Sequence, residues 1–242
     1  MADGVALVIG AGDATGGHVA ERFAREGLTA VVTRRARNLE QLEALAERIR
    51  AKGGNALAMG VDARDEDATV EMFARIERDI GPVEVCVYNV GGNVRFPIRE
   101  TTARVYRKVW EMCAYGAFLA GREAARVMVP RGRGTILFTG ATAGLRGGPG
   151  FSAFAGGKFA MRALAESMAR ELGPKNIHVA HVVIDAAIDT EWIAQNFPDR
   201  YKPEEDAVVD PAAIAETYWQ LHCQPRNAWT FETQLRPWKE SW

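Results

Sequence analysis

The stretch Val5-Ala6-Leu7-Val8-Ile9-Gly10-Ala11-Gly12-Asp13-Ala14-Thr15-Gly16-Gly17 decides how the rest of this 242-residue chain is read. Five apolar residues without polar alternation read as a strand buried on both faces. A glycine-rich turn follows, and residues 16–26 read as a helix. Strand, glycine turn and helix in that order form the setting in which such a turn is informative. Glycine lets the backbone turn sharply and approach a pyrophosphate, while the helix N-terminus offers free N–H groups and a partial positive charge. An ordinary tight turn is the plain alternative, but Gly10, Gly12, Gly16 and Gly17 fall within eight residues. Gly10, Gly12, Asp13, Ala14, Thr15 and Gly16 are therefore candidate cofactor-binding positions.

Outward from this turn, short apolar runs alternate with longer amphipathic ones. Strands are expected over 29–33, 56–61, Val83–Tyr88, 134–138, Ile177–Ile184 and 229–235. Helices are expected over 38–51 (with Asn38 as N-cap and Gly53-Gly54 as the stop), 66–78, 102–128, Ser152–Leu172 and Pro211–His222. Strands alternating with helices imply right-handed crossovers and a parallel sheet. The expectation is a doubly wound α/β fold of Rossmann type, with about seven strands and helices on both faces. No repeat, low-complexity tract or linker interrupts it, so residues 1–242 read as one dinucleotide-binding domain. Residues 186–209 are the exception: long, polar, and carrying Pro198 and Pro203. They read as an inserted substrate loop.

Bulk properties narrow the partners. Apolar residues make up 48% and charged residues 25%, with a formal net charge of -1. That balance argues against nucleic acid or an anionic membrane. No run of about 18 apolar residues offers a membrane span. The start, Met1-Ala2-Asp3-Gly4, lacks the basic and apolar segments of a signal peptide. Cys86, Cys113 and Cys223 are scattered without metal-like spacing, so no metal site is expected and a reduced, cytoplasmic protein is the plain reading.

The end of the second strand bears on cofactor choice. Dinucleotide sites usually place an acid there for the ribose hydroxyls. Here the sequence is Thr33-Arg34-Arg35-Ala36-Arg37, with no carboxylate. Guanidinium matches a 2′-phosphate in charge and geometry, so Arg34 and Arg35 point to NADP(H) over NAD(H). A solvated basic turn is the alternative.

With these motifs in hand, the chain resembles the short-chain dehydrogenase/reductase family from about residue 5 to residue 190. Gly10 and Gly16 match the ends of that family's Gly-x-x-x-Gly-x-Gly turn, and Ala14 takes the middle place. The resemblance implies that Asp62, in Val61-Asp62-Ala63, contacts the adenine ring. It implies that Asn89-Val90-Gly91 matches the Asn-Ala-Gly after the fourth strand. Thr190 would contact the carboxamide of the nicotinamide.

The family's catalysis uses Tyr as general acid/base, Lys to lower the Tyr pKa and hold the nicotinamide ribose, Ser to polarise the carbonyl, and Asn for a water relay. The segment Ser152-Ala153-Phe154-Ala155-Gly156-Gly157-Lys158 is similar to the Tyr-x-x-x-Lys motif. Lys158 is kept, while Phe154 stands at the Tyr. Ala141 aligns with the Ser and Cys113 with the Asn. Acid/base help is worth roughly 10²–10⁴ in rate, and an electrostatic donor about 10²–10³. Ordinary ketone chemistry by the usual route is therefore expected to be severely weakened.

Other polar groups lie nearby. Asp185 ends the sixth strand where the family has proline, and a buried carboxylate there is a speculative acid or base. Its bland alternative is a turn-forming Asp, with Asp189 capping the next helix. Thr139 and Thr142 flank Gly140-Ala141, while Ser152, two residues before Phe154, faces a different side of the helix. Tyr88 and Tyr115 read as packing residues rather than displaced hydroxyls, and His178 and His181 as strand residues. Trp219, Trp229, Phe231, Trp238 and Trp242 crowd the C-terminal region. Trp219 and Phe231 read as core, and the rest of the tail fits an interface or lid. The family implies a homodimer or homotetramer. The leading expectation is an NADP(H)-binding oxidoreductase of an unidentified small molecule, with nonstandard proton donation. The alternatives are an inactive cofactor-binding regulator or partner subunit, and an isomerase or cyclase in the same pocket.

Overall fold

The computed structural model describes residues 4–196, 198 and 201–240. Its centre is one seven-stranded sheet in the order β3-β2-β1-β4-β5-β6-β7. The strands are β1 (Val5–Ile9), β2 (Thr29–Arg34), β3 (Asn55–Gly60), β4 (Val83–Tyr88), β5 (Gly134–Thr139), β6 (Ile177–Ile184) and β7 (Glu232–Leu235). Every neighbouring pair is parallel. Strand order reverses direction beside β1 and β4, which opens a crevice at their carboxyl ends.

The helices cover both faces, as the apolar runs of the strands require. On one face α1 (Thr15–Arg25), α2 (Leu39–Ala51) and α8 (Pro211–His222) bury Val19, Phe23, Leu45, Ile49 and Tyr218 against Val8, Val32 and Val182. On the other, α3 (Glu66–Asp79), α5 (Gly116–Met128) and α6 (Ser152–Leu172) bury Phe73, Ile76, Met128 and Met161 against Leu7, Phe138 and Val179. Trp219 and Phe231 pack against these two cores, one on each.

Several local expectations are corrected. Asn38 makes no side-chain cap; it ends a 3-10 turn, Ala36–Asn38, whose backbone already leads into α2. The helix expected over 102–128 is α4 (Ala103–Trp110), a π-turn (Glu111–Tyr115) and α5. Tyr88 Oη donates to Met112 O at 2.5 Å within that π-turn. The 186–209 segment is not structureless: it holds α7 (Glu191–Asn196), a 3-10 turn at Pro203–Glu205 and an Ile188–Val209 bridge. Thr190, not Asp189, caps α7, with Ile193 N donating to Thr190 Oγ1 at 3.2 Å. The last strand is shorter than expected, because Trp229 stands outside it and stacks on His178 at 4.9 Å. Trp238 is 77% exposed, and Trp242 lies outside the described residues. Among the described residues no helix is long and apolar enough to cross a membrane.

Candidate cofactor and active site

A cleft of about 1150 Å³ opens at the carboxyl ends of the strands. Its first wall is the glycine turn. Gly10 has φ +92°, and a Cβ there would meet the Asn89 carbonyl at 2.9 Å. Gly10 N and Ala11 N both donate to Thr33 O, at 2.9 and 3.1 Å, while Asn89 Nδ2 donates to Gly10 O at 2.9 Å. Asn89 therefore ties the turn to the end of β4. At Gly16 a Cβ would lie 2.6 Å from Gly10 O, so the helix start packs directly on the turn. Gly10 and Gly16 shape this wall, whereas Gly12, Asp13, Ala14 and Thr15 line it. The Ala14 carbonyl accepts from His18 N at 3.2 Å.

The residues present fit a pyrophosphate-bearing cofactor. Thr15 Oγ1 is buried at the start of α1 without a partner among the described residues, a cost unless a ligand oxygen meets it. Gly12 leaves the path open: a Cβ there would still stand 4.0 Å from the Arg34 guanidinium. Arg34 lines the cleft and donates to Gln41 Oε1 at 3.0 Å. Arg35 lies past the strand end. Burial and then Arg37 lower its pKa, with Asp62 opposing them. Asp62 is gripped by Arg64, which donates from Nε at 3.0 Å and Nη2 at 2.6 Å. Those bonds hold the Asp62 carboxyl below its usual range. Arg35, Asp62 and Ala63 are not among the residues that line the cleft.

The second wall is the start of α6. Lys158 is 3% exposed and donates from Nζ to Thr139 O at 2.6 Å. Burial pulls its pKa below the usual lysine range, with Cys113 opposing. Phe154, Ala141, Asn89, Gly91 and Thr190 also line the cleft, and a Cβ on Gly91 would stand 3.8 Å from both Lys158 and Phe154. Cys113 does not line the cleft. It is fully buried beneath α6, where a Cβ on Gly157 would meet the Cys113 Cβ at 2.8 Å. Burial raises its thiol pKa. Tyr88 and Tyr115 do not line the cleft either: Tyr88 is engaged by Met112, and Tyr115 Oη reaches Glu66 at 3.5 Å.

Asp185 closes the far end. It is 1% exposed, and three side chains donate to it: Thr142 Oγ1 at 2.5 Å, Gln234 Nε2 at 2.7 Å and Arg146 at 3.4 Å. Sequence reasoning named Thr142 and Asp185 but missed Arg146 and Gln234. The available signal was a lone arginine entering a glycine-rich segment, Arg146-Gly147-Gly148, just after the fifth strand. His181 is a buried residue of β6, as its sequence position indicated, and it sits under Gly140. A Cβ on Gly140 would lie 2.5 Å from His181 Nε2.

Residues 4–200 match the short chain dehydrogenase family. The chain belongs to that family. It is 31% identical over 174 residues to gluconate 5-dehydrogenase of Gluconobacter oxydans, covering 72% of this chain and 67% of the relative. Among solved structures, a short-chain dehydrogenase from Rhodopseudomonas palustris is 48% identical, with a TM-score of 0.85 over 98% of this chain and 100% of that one. A metagenomic short-chain oxidoreductase in complex with NADP is 23% identical, with a TM-score of 0.84 over 98% of each chain, a likeness of fold. The seven-stranded sheet is thus that of a short-chain dehydrogenase/reductase, an oxidoreductase family that binds NAD(P).

Proposed function

We propose that this short-chain dehydrogenase/reductase is an NADP(H)-dependent oxidoreductase of a small molecule, one that moves its proton without the family tyrosine. The observation that carries this reading is the pair of cleft walls. Gly12, the unpartnered Thr15 hydroxyl and Arg34 stand at one end, and the buried Lys158 amine at the other. Arg34 would take the 2′-phosphate, and Thr15 and the α1 N-terminus the pyrophosphate. Asn89, Gly91, Lys158 and Thr190 would hold the nicotinamide side. The bound cofactor supplies or accepts a hydride.

The chain's own residues then constrain the chemistry. Phe154 and Ala141 offer no hydroxyl, so an unactivated ketone gains little. A conjugated C=C or an imine needs less proton help and suits the site better. Lys158, Asp185 and Arg146 are among the ionisable groups that line the cleft at the substrate end. A second reading, a cofactor-bound protein without turnover, is favoured by the same Phe154 and Ala141. The exposed aromatics on α4–α6 (Tyr106 44%, Trp110 41%, Phe118 41%, Phe159 43%) support a homodimer or homotetramer.

Calorimetric titration tests the cofactor assignment. NADPH is expected to bind at micromolar strength and NADH much more weakly. Arg34→Leu is expected to weaken NADPH about tenfold to a hundredfold, the worth of a charge-assisted contact, and to leave NADH unchanged. Binding of neither nucleotide overturns the reading. Turnover of enones or imines with NADPH separates the enzyme from the binding protein.

A further inference from the structure

Three cationic side chains line the cleft among the described residues: Arg34, Lys158 and Arg146. The cofactor reading uses the first two. Arg146 is left over. Its side chain is 44% exposed, and it is tied to the buried Asp185. Both Nη atoms stand 3.4 Å from the two oxygens of Asp185, one on each. That is a fork facing a fork, but longer than the roughly 2.7–2.9 Å of a tight charge-assisted pair. The guanidinium has no other hydrogen-bond partner among the described residues.

Asp185 is itself fixed, by Thr142, by Gln234 and by its own N–H on Leu235 O. A rigid buried carboxylate thus aims a guanidinium at the cleft and leaves its remaining donors open. The next residues on the wall, Gly147 and Gly148, have no side chains to cover it. The same cleft carries an apolar surface formed by Phe151, Phe154 and Ala143. Guanidinium is matched to a carboxylate in charge and in bidentate geometry. Asp189, Glu191 and Glu240 share the cleft rim, and their charge opposes a polyanion such as a phosphate ester.

We infer that the substrate is a monocarboxylate with an apolar body, held at its carboxylate by Arg146. This rests on the oxidoreductase reading and names the substrate class of the same site.

The test uses the NADP⁺-saturated protein and matched probes: trans-cinnamate against cinnamamide, hexanoate against hexanamide, and phenyl phosphate. Dissociation constants are read by ligand-observed NMR and calorimetry. Each carboxylate is expected to bind at least tenfold more tightly than its amide. Arg146→Gln is expected to erase that preference and leave the NADP⁺ constant unchanged. No preference for carboxylate over amide, including no binding at all, overturns the inference. So does a preference that survives Arg146→Gln, which would place the anion on Lys158, or a tighter complex with phenyl phosphate. If NADP⁺ fails to bind, the cofactor reading falls. The carboxylate–amide comparison, run on the free protein, still decides the role of Arg146.

Discussion

Lys158 Nζ lies 5.9 Å from the centre of the Phe154 ring, four residues away on the same helix. An amine and an aromatic face share the wall that the family motif gives to an amine and a phenol. The ring face attracts the cation at this range. The lysine is further anchored on Thr139 O, so its placement does not depend on a hydroxyl at position 154.

Restoring the phenol should therefore restore ketone chemistry. Phe154→Tyr combined with Ala141→Ser is expected to raise NADPH-dependent reduction of an unactivated ketone by at least about 10²-fold, the lower end of what a placed acid contributes. Steady-state NADPH oxidation measures it. If the double variant folds, binds NADPH and stays inert, the reacting carbonyl does not face these two positions.

Gly140 has a steric reason to be glycine. A methyl there would meet His181 Nε2 at 2.5 Å and Val182 O at 3.1 Å. Gly140→Ala is expected to cost about 1–3 kcal/mol, as overpacking does. For a chain of this size that lowers Tm by roughly 2–12 °C. Adding His181→Ala is expected to cost less than the two single changes summed, since the clash goes with the ring. Strictly additive calorimetric values would show that the methyl finds room elsewhere.

Acid should unfold the protein through its buried histidines. Burial lowers His178, His181 and His222 below their ordinary value of 6.5, with Glu232 opposing the shift at His181. Below pH 6.5 the unfolded chain binds protons that the folded chain refuses. Stability is then complete above that pH and declines until each lowered value is passed. Glu232 acts in the same sense lower down. Its bonds from Arg162 hold it below 4.5, so its contribution is present above that pH and lost as pH falls through the lowered value. Urea midpoints at pH 7.5 and pH 5 measure the decline, and His222→Asn should flatten it. Equal midpoints at both values would contradict the assignment.

Much of the frame was legible because its signals are local. Val5–Ile9, Val83–Tyr88, Ser152–Leu172, Ile177–Ile184 and Pro211–His222 occupy the residues their apolar patterns assign. The glycine turn announced a cleft wall through spacing alone. What stayed hidden depends on pairs far apart in the chain. Arg34 and Arg35 read alike in sequence, but Arg34 closes β2 and lines the cleft, while Arg35 lies past the strand end and feels the charge of Asp62. The π-turn within the long helical stretch contains a carbonyl that accepts from Tyr88, more than twenty residues upstream. Asp185 looked like a lone acid because two of its partners, Arg146 and Gln234, lie 39 and 49 residues away.

The pairing of β7 with β6 sets an order of assembly. Gln234 and Leu235 give Asp185 its amide donor and its backbone acceptor, and they are synthesised after Thr142 and Arg146, its other partners. On the ribosome, the glycine turn, Arg34 and Lys158 can emerge long before the substrate end is secured. A nascent chain that stops short of β7 leaves Asp185 with only Thr142 and Arg146. The cleft wall made by the glycine turn is thus a product of earlier translation, and the setting of Asp185 waits for β7.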